Sequence, residues 1–332
     1  MASPKTAGKT KQKKRSFHQE LVLNRWVMRF FKGNELAALK LRLGDDQHEG
    51  IDEDGQTLFF HELTRNLFEV DWISEADLRR YDLHIVEHWQ AITKHRNQLE
   101  GHVLNMKYFQ YLSLLFTEIY LDWYFTKPQA LLDGLNEELA TYSKEQGAEI
   151  FQPYIASDLN KIAFWNATGS GKTLLLHVNI KQYLHYFQAG NSNLYPDKII
   201  LLTPNEGLSK QHLEELELSG FSFSRFFDKN RTNTFKGTIE IIDINKLGDS
   251  MGDKTVAVEA FEGNNLVLVD EGHRGTGTAA GAWMQRRDAL VRGGFAFEYS
   301  ATFGQAVAKG NTVAKAEEEL LKKKAKTLFE TT

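Results

Sequence analysis

Two segments about a hundred residues apart hold the side chains best suited to chemistry, and both suit phosphate. The first is Ile162-Ala-Phe-Trp-Asn-Ala-Thr-Gly-Ser-Gly-Lys-Thr173. It reads as a short apolar strand, a glycine-rich turn, then a helix from Leu174 to about Phe187. Gly169 and Gly171 allow the backbone to turn its N–H groups inward around phosphate oxygens. The helix N-terminus adds the positive end of its dipole. Ala167, Thr168, Gly169, Ser170 and Gly171 then form the cradle, Lys172 reaches the β- and γ-phosphates, and the Thr173 hydroxyl ligates Mg²⁺. One position departs from the general phosphate-loop pattern. Asn166 stands where that pattern wants glycine, and the tolerance of asparagine for positive φ would let the turn survive.

The second segment is Asn265-Leu-Val-Leu-Val-Asp-Glu-Gly-His273, an apolar run ending in adjacent acids. Two carboxylates at a strand end must each be solvated, paired or metal-bound, so packing alone does not explain them. Beside a phosphate loop their division of labour follows: Asp270 holds Mg²⁺ through its water shell, and Glu271 orients and deprotonates an attacking water. The ligands implied are ATP and Mg²⁺.

The elements that must position these groups follow from the apolar rhythm. After about residue 150, short apolar runs (162–165, 199–202, 239–242, 266–269 and 295–299) alternate with helical stretches. Strands separated by helices predict an α/β fold, a parallel sheet with helices on both faces. Ligands of such sheets sit at the carboxyl ends of the strands, which is where both segments fall. From 17 to 150 the sequence reads as a helical domain, with apolar residues near helical spacing over 17–31, 76–97 and 103–125. Residues 1–16 carry Lys5, Lys9, Lys11, Lys13, Lys14 and Arg15 with almost nothing to bury, a tail expected to be disordered. It reads either as a solvated tail or as an arm that brushes nucleic-acid phosphates.

Composition narrows the class. Hydrophobic residues at 42% and charged residues at 25% fit a chain that buries a core. A net charge of −4 gives no overall basic bias, so a nucleic-acid surface must be local. Without cysteine there are no disulfides or thiolate metal sites. No run is apolar enough to predict a membrane span, and the N-terminus lacks the apolar stretch of a secretory signal. A cytoplasmic location is the expectation.

Taken together, Asp270-Glu271-Gly272-His273 resembles the DExH box of superfamily two helicases, and Ala167 to Thr173 is similar to their first motif. The form Ala-Thr-Gly-Ser-Gly-Lys-Thr resembles, more narrowly, the motor subunits of type III and type I restriction enzymes. The resemblance covers roughly residues 150–305 and implies a RecA-like domain over 151–332, the first of two. It implies that Ser300-Ala301-Thr302 links hydrolysis to movement, with His273 contacting the Ser300 and Thr302 hydroxyls. It also implies that the turn opening at Leu201-Leu-Thr-Pro-Asn205 touches a nucleic-acid backbone through Thr203 and Asn205. Read from the residues, Asn205 is equally an ordinary helix cap. Residues 242–247 fall where a further contact motif would lie but match it poorly. Gln152 is a candidate for reading adenine. The stretch from Tyr120 to Pro128 resembles the N-terminal region of large bacterial proteins of this group.

Partners implied by the resemblance are nucleic acid, DNA ahead of RNA, a second RecA-like domain, and a methyltransferase or specificity subunit. Residues 314–329 read as one lysine- and glutamate-rich helix, so the chain reads as the N-terminal portion of a longer or split protein, hydrolysing ATP slowly by itself. Two other readings stand beside a motor. One is a nucleotide-binding regulator or scaffold. The other is a zinc hydrolase built on His84-Ile-Val-Glu-His88, whose histidines share a helix face; the polar flanks of that segment predict a solvated face instead.

Overall fold

The computed structural model describes residues 21–32, 36–68, 72–146, 151–228, 235–248, 256–257, 261, 263–271, 287–301 and 328–331. The basic segment 1–16, His273, Thr302 and residues 314–327 lie outside the described residues.

The N-terminal part is helical, as expected: α1 (Val22–Met28), α2 (Leu36–Leu43), α3 (Leu58–Glu62), α4 (Glu75–Glu100), α5 (Tyr108–Thr126) and α6 (Pro128–Gln146). Helix α4 starts where the Ser74 hydroxyl accepts the Asp77 N–H at 3.1 Å. It stops at Gly101, which takes the left-handed φ of 72°. Both are standard terminators, one satisfying an orphan donor and the other adopting a conformation that costs glycine nothing. Helix α5 is buried nearly all round because it lies between α4 and α7 (Lys172–Phe187). Its buried acids are therefore paired: Glu118 accepts from Gln182 and Tyr186, and Asp122 from Tyr81 and Arg80.

The remaining elements alternate along the chain. They are β1 (Lys161–Asn166), α7, β2 (Ile199–Thr203), α8 (Glu206–Leu218), β3 (Ser224–Phe226), β4 (Ile239–Asp243), a minor pair β5 (Leu247–Gly248) and β6 (Val256–Ala257), β7 (Leu266–Asp270), β8 (Phe295–Ser300) and β9 (Leu328–Thr331). The main sheet has seven strands in the order β3-β4-β2-β7-β8-β1-β9, and every pairing in it is parallel. This is a RecA-like α/β sheet flanked by helices.

The strands read as continuous apolar runs because both faces are covered. Ile162, Phe164, Ile199, Leu201, Leu266, Leu268, Phe295 and Phe297 face one side and join α4, α5 and α7 in a single core that runs from Val22 to Tyr299. Ile200, Leu202, Ile242, Val267, Val269 and Ala296 face the other, against Phe261, Leu290 and Val291. The helical part therefore shares its core with the sheet.

One expectation is corrected. Leu328 and Phe329, expected to end a helix, open strand β9, which pairs with β1 at Ala163↔Leu328 and Phe164↔Phe329. A parallel strand with one edge unpaired leaves backbone donors and acceptors unmet, and pairing them outweighs helix propensity.

No helix among the described residues is long and apolar enough to cross a membrane.

Candidate nucleotide-binding site

Strand register brings the two chemical segments together. Strand β8 lies between β1 and β7, with Trp165 level with Ser300 and Tyr299 level with Asp270. The glycine-rich loop leaves the carboxyl end of β1 and the acids leave that of β7, two strand spacings or roughly 10 Å apart. Lys172 spans the gap: its Nζ lies 3.0 Å from Glu271 Oε1, between residues 99 apart in sequence.

In the loop, Gly169 and Gly171 have φ of 81° and 82°, and Gly171 caps α7. Ser170 is buried, and its hydroxyl has no hydrogen-bond partner among the described residues. Asn166 does not use positive φ, contrary to the sequence expectation. It is the last residue of β1, fully buried, and neither polar atom of its carboxamide has a partner among the described residues. Two buried polar side chains at the mouth of the loop, beside N–H groups and an ammonium, fit a polyanion. The hard oxygens of Thr173, half-buried on the first turn of α7, and of Asp270 suit Mg²⁺.

Glu271 is the single non-glycine residue with positive φ, 56°, among the described residues. Such a conformation costs on the order of 1–3 kcal/mol and persists where the surroundings fix it. Asp270 Oδ1 accepts the Glu271 N–H at 3.0 Å. Its Oδ2 lies 3.0 Å from Nε2 of His212, a buried residue of α8. Burial pushes the Asp270 carboxyl up. The His212 hydrogen bond and charge, then Lys172 and the Glu271 N–H, outweigh burial and hold it below the usual carboxylate range.

Sequence reasoning missed His212 and also Gln110. Gln110 stands in the first turn of α5. It donates from Nε2 to the Ser170 carbonyl at 2.9 Å and accepts the Lys107 N–H at 2.9 Å. A polar residue buried in a helix that is apolar on every side is the one signal that pointed to a partner. For His212 the sequence offered none.

Of the other expected residues, Ser300 and Thr203 end strands on either side of β7 at the same edge of the sheet, and Asn205 and Gln152 lie farther out. Ser300 is fully buried at the end of β8, and Trp165 donates to the Ala301 carbonyl at 3.0 Å. Thr203 is buried with its hydroxyl turned inward, 2.6 Å from that of Ser209, so a phosphate contact there falls to the backbone. Asn205 caps α8, accepting the Leu208 N–H at 2.9 Å. Gln152 is exposed. His84 and His88 do share a face of α4, but it is a packed face and not the solvated one expected. His84 Nδ1 lies 3.4 Å from Glu118, its ring lies 4.0 Å from that of His185 of α7, and His88 is buried. No cluster of three or more His, Asp or Glu among the described residues is placed to hold a metal ion.

The sheet, the loop at the end of β1 and the acids at the end of β7 define an ATP-binding domain of helicase-like motors. The sequence model of one such family, the type III restriction enzyme res subunit, matches residues 124–304, which is 181 of the 332 residues. The chain belongs to that family, as the motifs Ala167–Thr173 and Asp270–His273 implied. No curated protein matches the chain.

Proposed function

We propose that this chain is the nucleotide-binding half of a DNA translocase of the restriction or defence type, hydrolysing ATP with Mg²⁺. Residues 17–150 form its helical part and 151–332 its motor domain. The observation that carries the reading is the approach of Lys172 to Glu271 across the end of β8.

The N–H groups of Ala167–Gly171 and the Lys172 ammonium hold the β- and γ-phosphates. Thr173 and Asp270 hold Mg²⁺, which when bound neutralises charge developing on the transferring phosphoryl group. Glu271 orients the attacking water and takes its proton, a role typically worth about 10²–10⁴ in rate. Its positive φ turns it from the line of β7 toward Lys172, so its carboxylate and the ammonium address one position. Ser300, with His273 and Thr302, links the phosphate side of the cleft to movement. The turn at Thr203–Asn205 meets the nucleic-acid backbone through its N–H groups and the start of α8.

A second RecA-like domain, on the same polypeptide or another, supplies the arginine that completes the site, a contribution of about 10³–10⁵ in related hydrolases. A methyltransferase or specificity subunit and a cytoplasmic location belong to the same reading.

The test is ATP turnover of the assembly containing both motor domains, with and without DNA duplex. Stimulation by DNA that Lys172→Ala removes is the expected result. Turnover that ignores DNA and RNA alike would exclude a motor.

A further inference from the structure

Helix α8 is tied at four places along its length. At its start, Asn205 caps it, and the Ser209 hydroxyl bonds both Thr203 and the Asn205 carbonyl, at 2.6 and 3.1 Å. One turn on, His212 Nε2 meets Asp270 Oδ2 at 3.0 Å. At the next turn Glu215 pairs with Arg96 of α4 at 2.6 Å. At its end Ser219 bonds Nδ1 of His177, in the helix that begins at Lys172, at 2.8 Å.

The His212 contact is the informative one. An ionised carboxylate only accepts, so the His212 Nε2–H donates to it. Its Nδ1 is buried and has no partner among the described residues, so the ring is held through Asp270. Each oxygen of Asp270 then has one donor, from His212 and from the Glu271 N–H. That fixes the plane of the carboxylate and leaves lone pairs on both oxygens. Hydrogen bonds weaken steeply with distance. A rigid shift of α8 by about 1 Å, the scale of helix motions in switching proteins, breaks or makes this one.

We propose that His212 is a positioning residue for the metal carboxylate, and that through it α8 passes the state of the Thr203–Asn205 turn to Asp270. Nucleic acid seated on that turn is thereby read as a change in the affinity for Mg²⁺. The inference rests on the proposed ATP·Mg²⁺ site and goes beyond it, naming a route between the two ligands that uses neither the loop nor Ser300.

The experiment measures binding of a fluorescent ATP analogue to the full chain as Mg²⁺ is varied, with and without a DNA duplex. The variants are His212→Leu, which keeps apolar bulk but removes the donor, and His212→Gln, whose amide can place an N–H where Nε2 stands. Should His212→Leu fail to fold, His212→Met replaces it. Outer-sphere partners of metal ligands are worth about 10–100-fold in metal affinity. The Mg²⁺ concentration for half-maximal binding should rise on the order of tenfold in His212→Leu and return toward wild type in His212→Gln, with Mg²⁺-free nucleotide affinity unchanged in both. DNA should lower the Mg²⁺ requirement of wild type and not of His212→Leu. Equal Mg²⁺ requirements in all three proteins would overturn the positioning role, and a DNA effect that survives in His212→Leu would overturn the route through α8. Lys172→Ala distinguishes failure of the nucleotide site from failure of the His212 route. If it leaves nucleotide binding intact, the site itself is misread; if it abolishes binding while His212→Leu changes nothing, only this inference fails.

Discussion

Alanine at Gly171 and alanine at Gly169 should differ sharply, although the two glycines have nearly the same φ, 82° and 81°. At Gly169 an added Cβ meets nothing within 4 Å, so the cost is conformational alone. That cost is about 1 kcal/mol, or about fivefold in nucleotide affinity if the native loop is the binding form. At Gly171 the Cβ would fall well inside van der Waals contact with Gln110 Nε2. Gln110 cannot yield without losing its bonds to the Ser170 carbonyl and the Lys107 N–H, each 2.9 Å long. At about 1 kcal/mol net per bond, the total approaches about 3 kcal/mol, or on the order of a hundredfold in affinity. The assay is titration of each variant with a fluorescent ATP analogue in Mg²⁺, repeated in a Gln110→Ala background. There the clash is gone, and Gly171→Ala should cost no more than Gly169→Ala. Equal losses in the wild-type background, or a gap that persists without Gln110, would refute the contact between α5 and the loop.

Two further predictions concern stability. Burial pushes His88 down to about 4 and His177 to about 3, from an ordinary value of 6.5. Between pH 6.5 and those values the unfolded chain binds more protons than the folded one, so stability is intact above pH 6.5 and falls as pH drops through it. At pH 5 the two together should cost about 4 kcal/mol, at about 1.4 kcal/mol per unit and group. Urea midpoints at pH 7.5 and 5.0 check this; His88→Gln with His177→Gln should flatten the dependence, and an undiminished slope in that double variant would contradict it. Gly294→Ala would drive a Cβ into the backbone carbonyl of Asn265, which also accepts the Phe295 N–H at 2.8 Å. Backbone cannot rotate aside, so this variant should lose about 3 kcal/mol or more. Gly190→Ala, with positive φ and nothing within 4 Å, should lose about 1 kcal/mol. Similar melting temperatures for the two would count against the close approach of Gly294 to the Asn265 backbone.

The parts legible in the sequence were those set by local pattern. Strands buried on both faces read as unbroken apolar runs, and each of the five expected strands is found with bounds extended by a residue or so. The loop and the acid pair were legible because few residue types perform their chemistry. What stayed hidden depends on distant partners. His212 and Asp270 are 58 residues apart and Gln110 and Ser170 are 60 apart; the all-round apolar helix hints that Gln110 is buried but not at what it meets, and nothing near His212 marks it at all. His84 and His88 looked solvated because their flanks are polar, whereas α7 supplies His185 and Tyr186 to cover them. Thr203 looked available for phosphate until the helix it precedes placed Ser209 against it. Strand β9 hides behind a lysine- and glutamate-rich stretch, since the need of the β1 edge for a partner is a property of the sheet and not of the segment that meets it.

Lys172, Thr173, Asp270 and Glu271 are proposed to serve one triphosphate and its metal. Parallel measurement of ATP·Mg²⁺ binding and turnover in Glu271→Gln tests this most directly. Removing the carboxylate charge frees Lys172 from its 3.0 Å partner while deleting the base, so binding should hold or tighten as turnover falls about a hundredfold or more. Turnover at the wild-type rate, or loss of binding in step with turnover, would show that these four residues do not share one nucleotide.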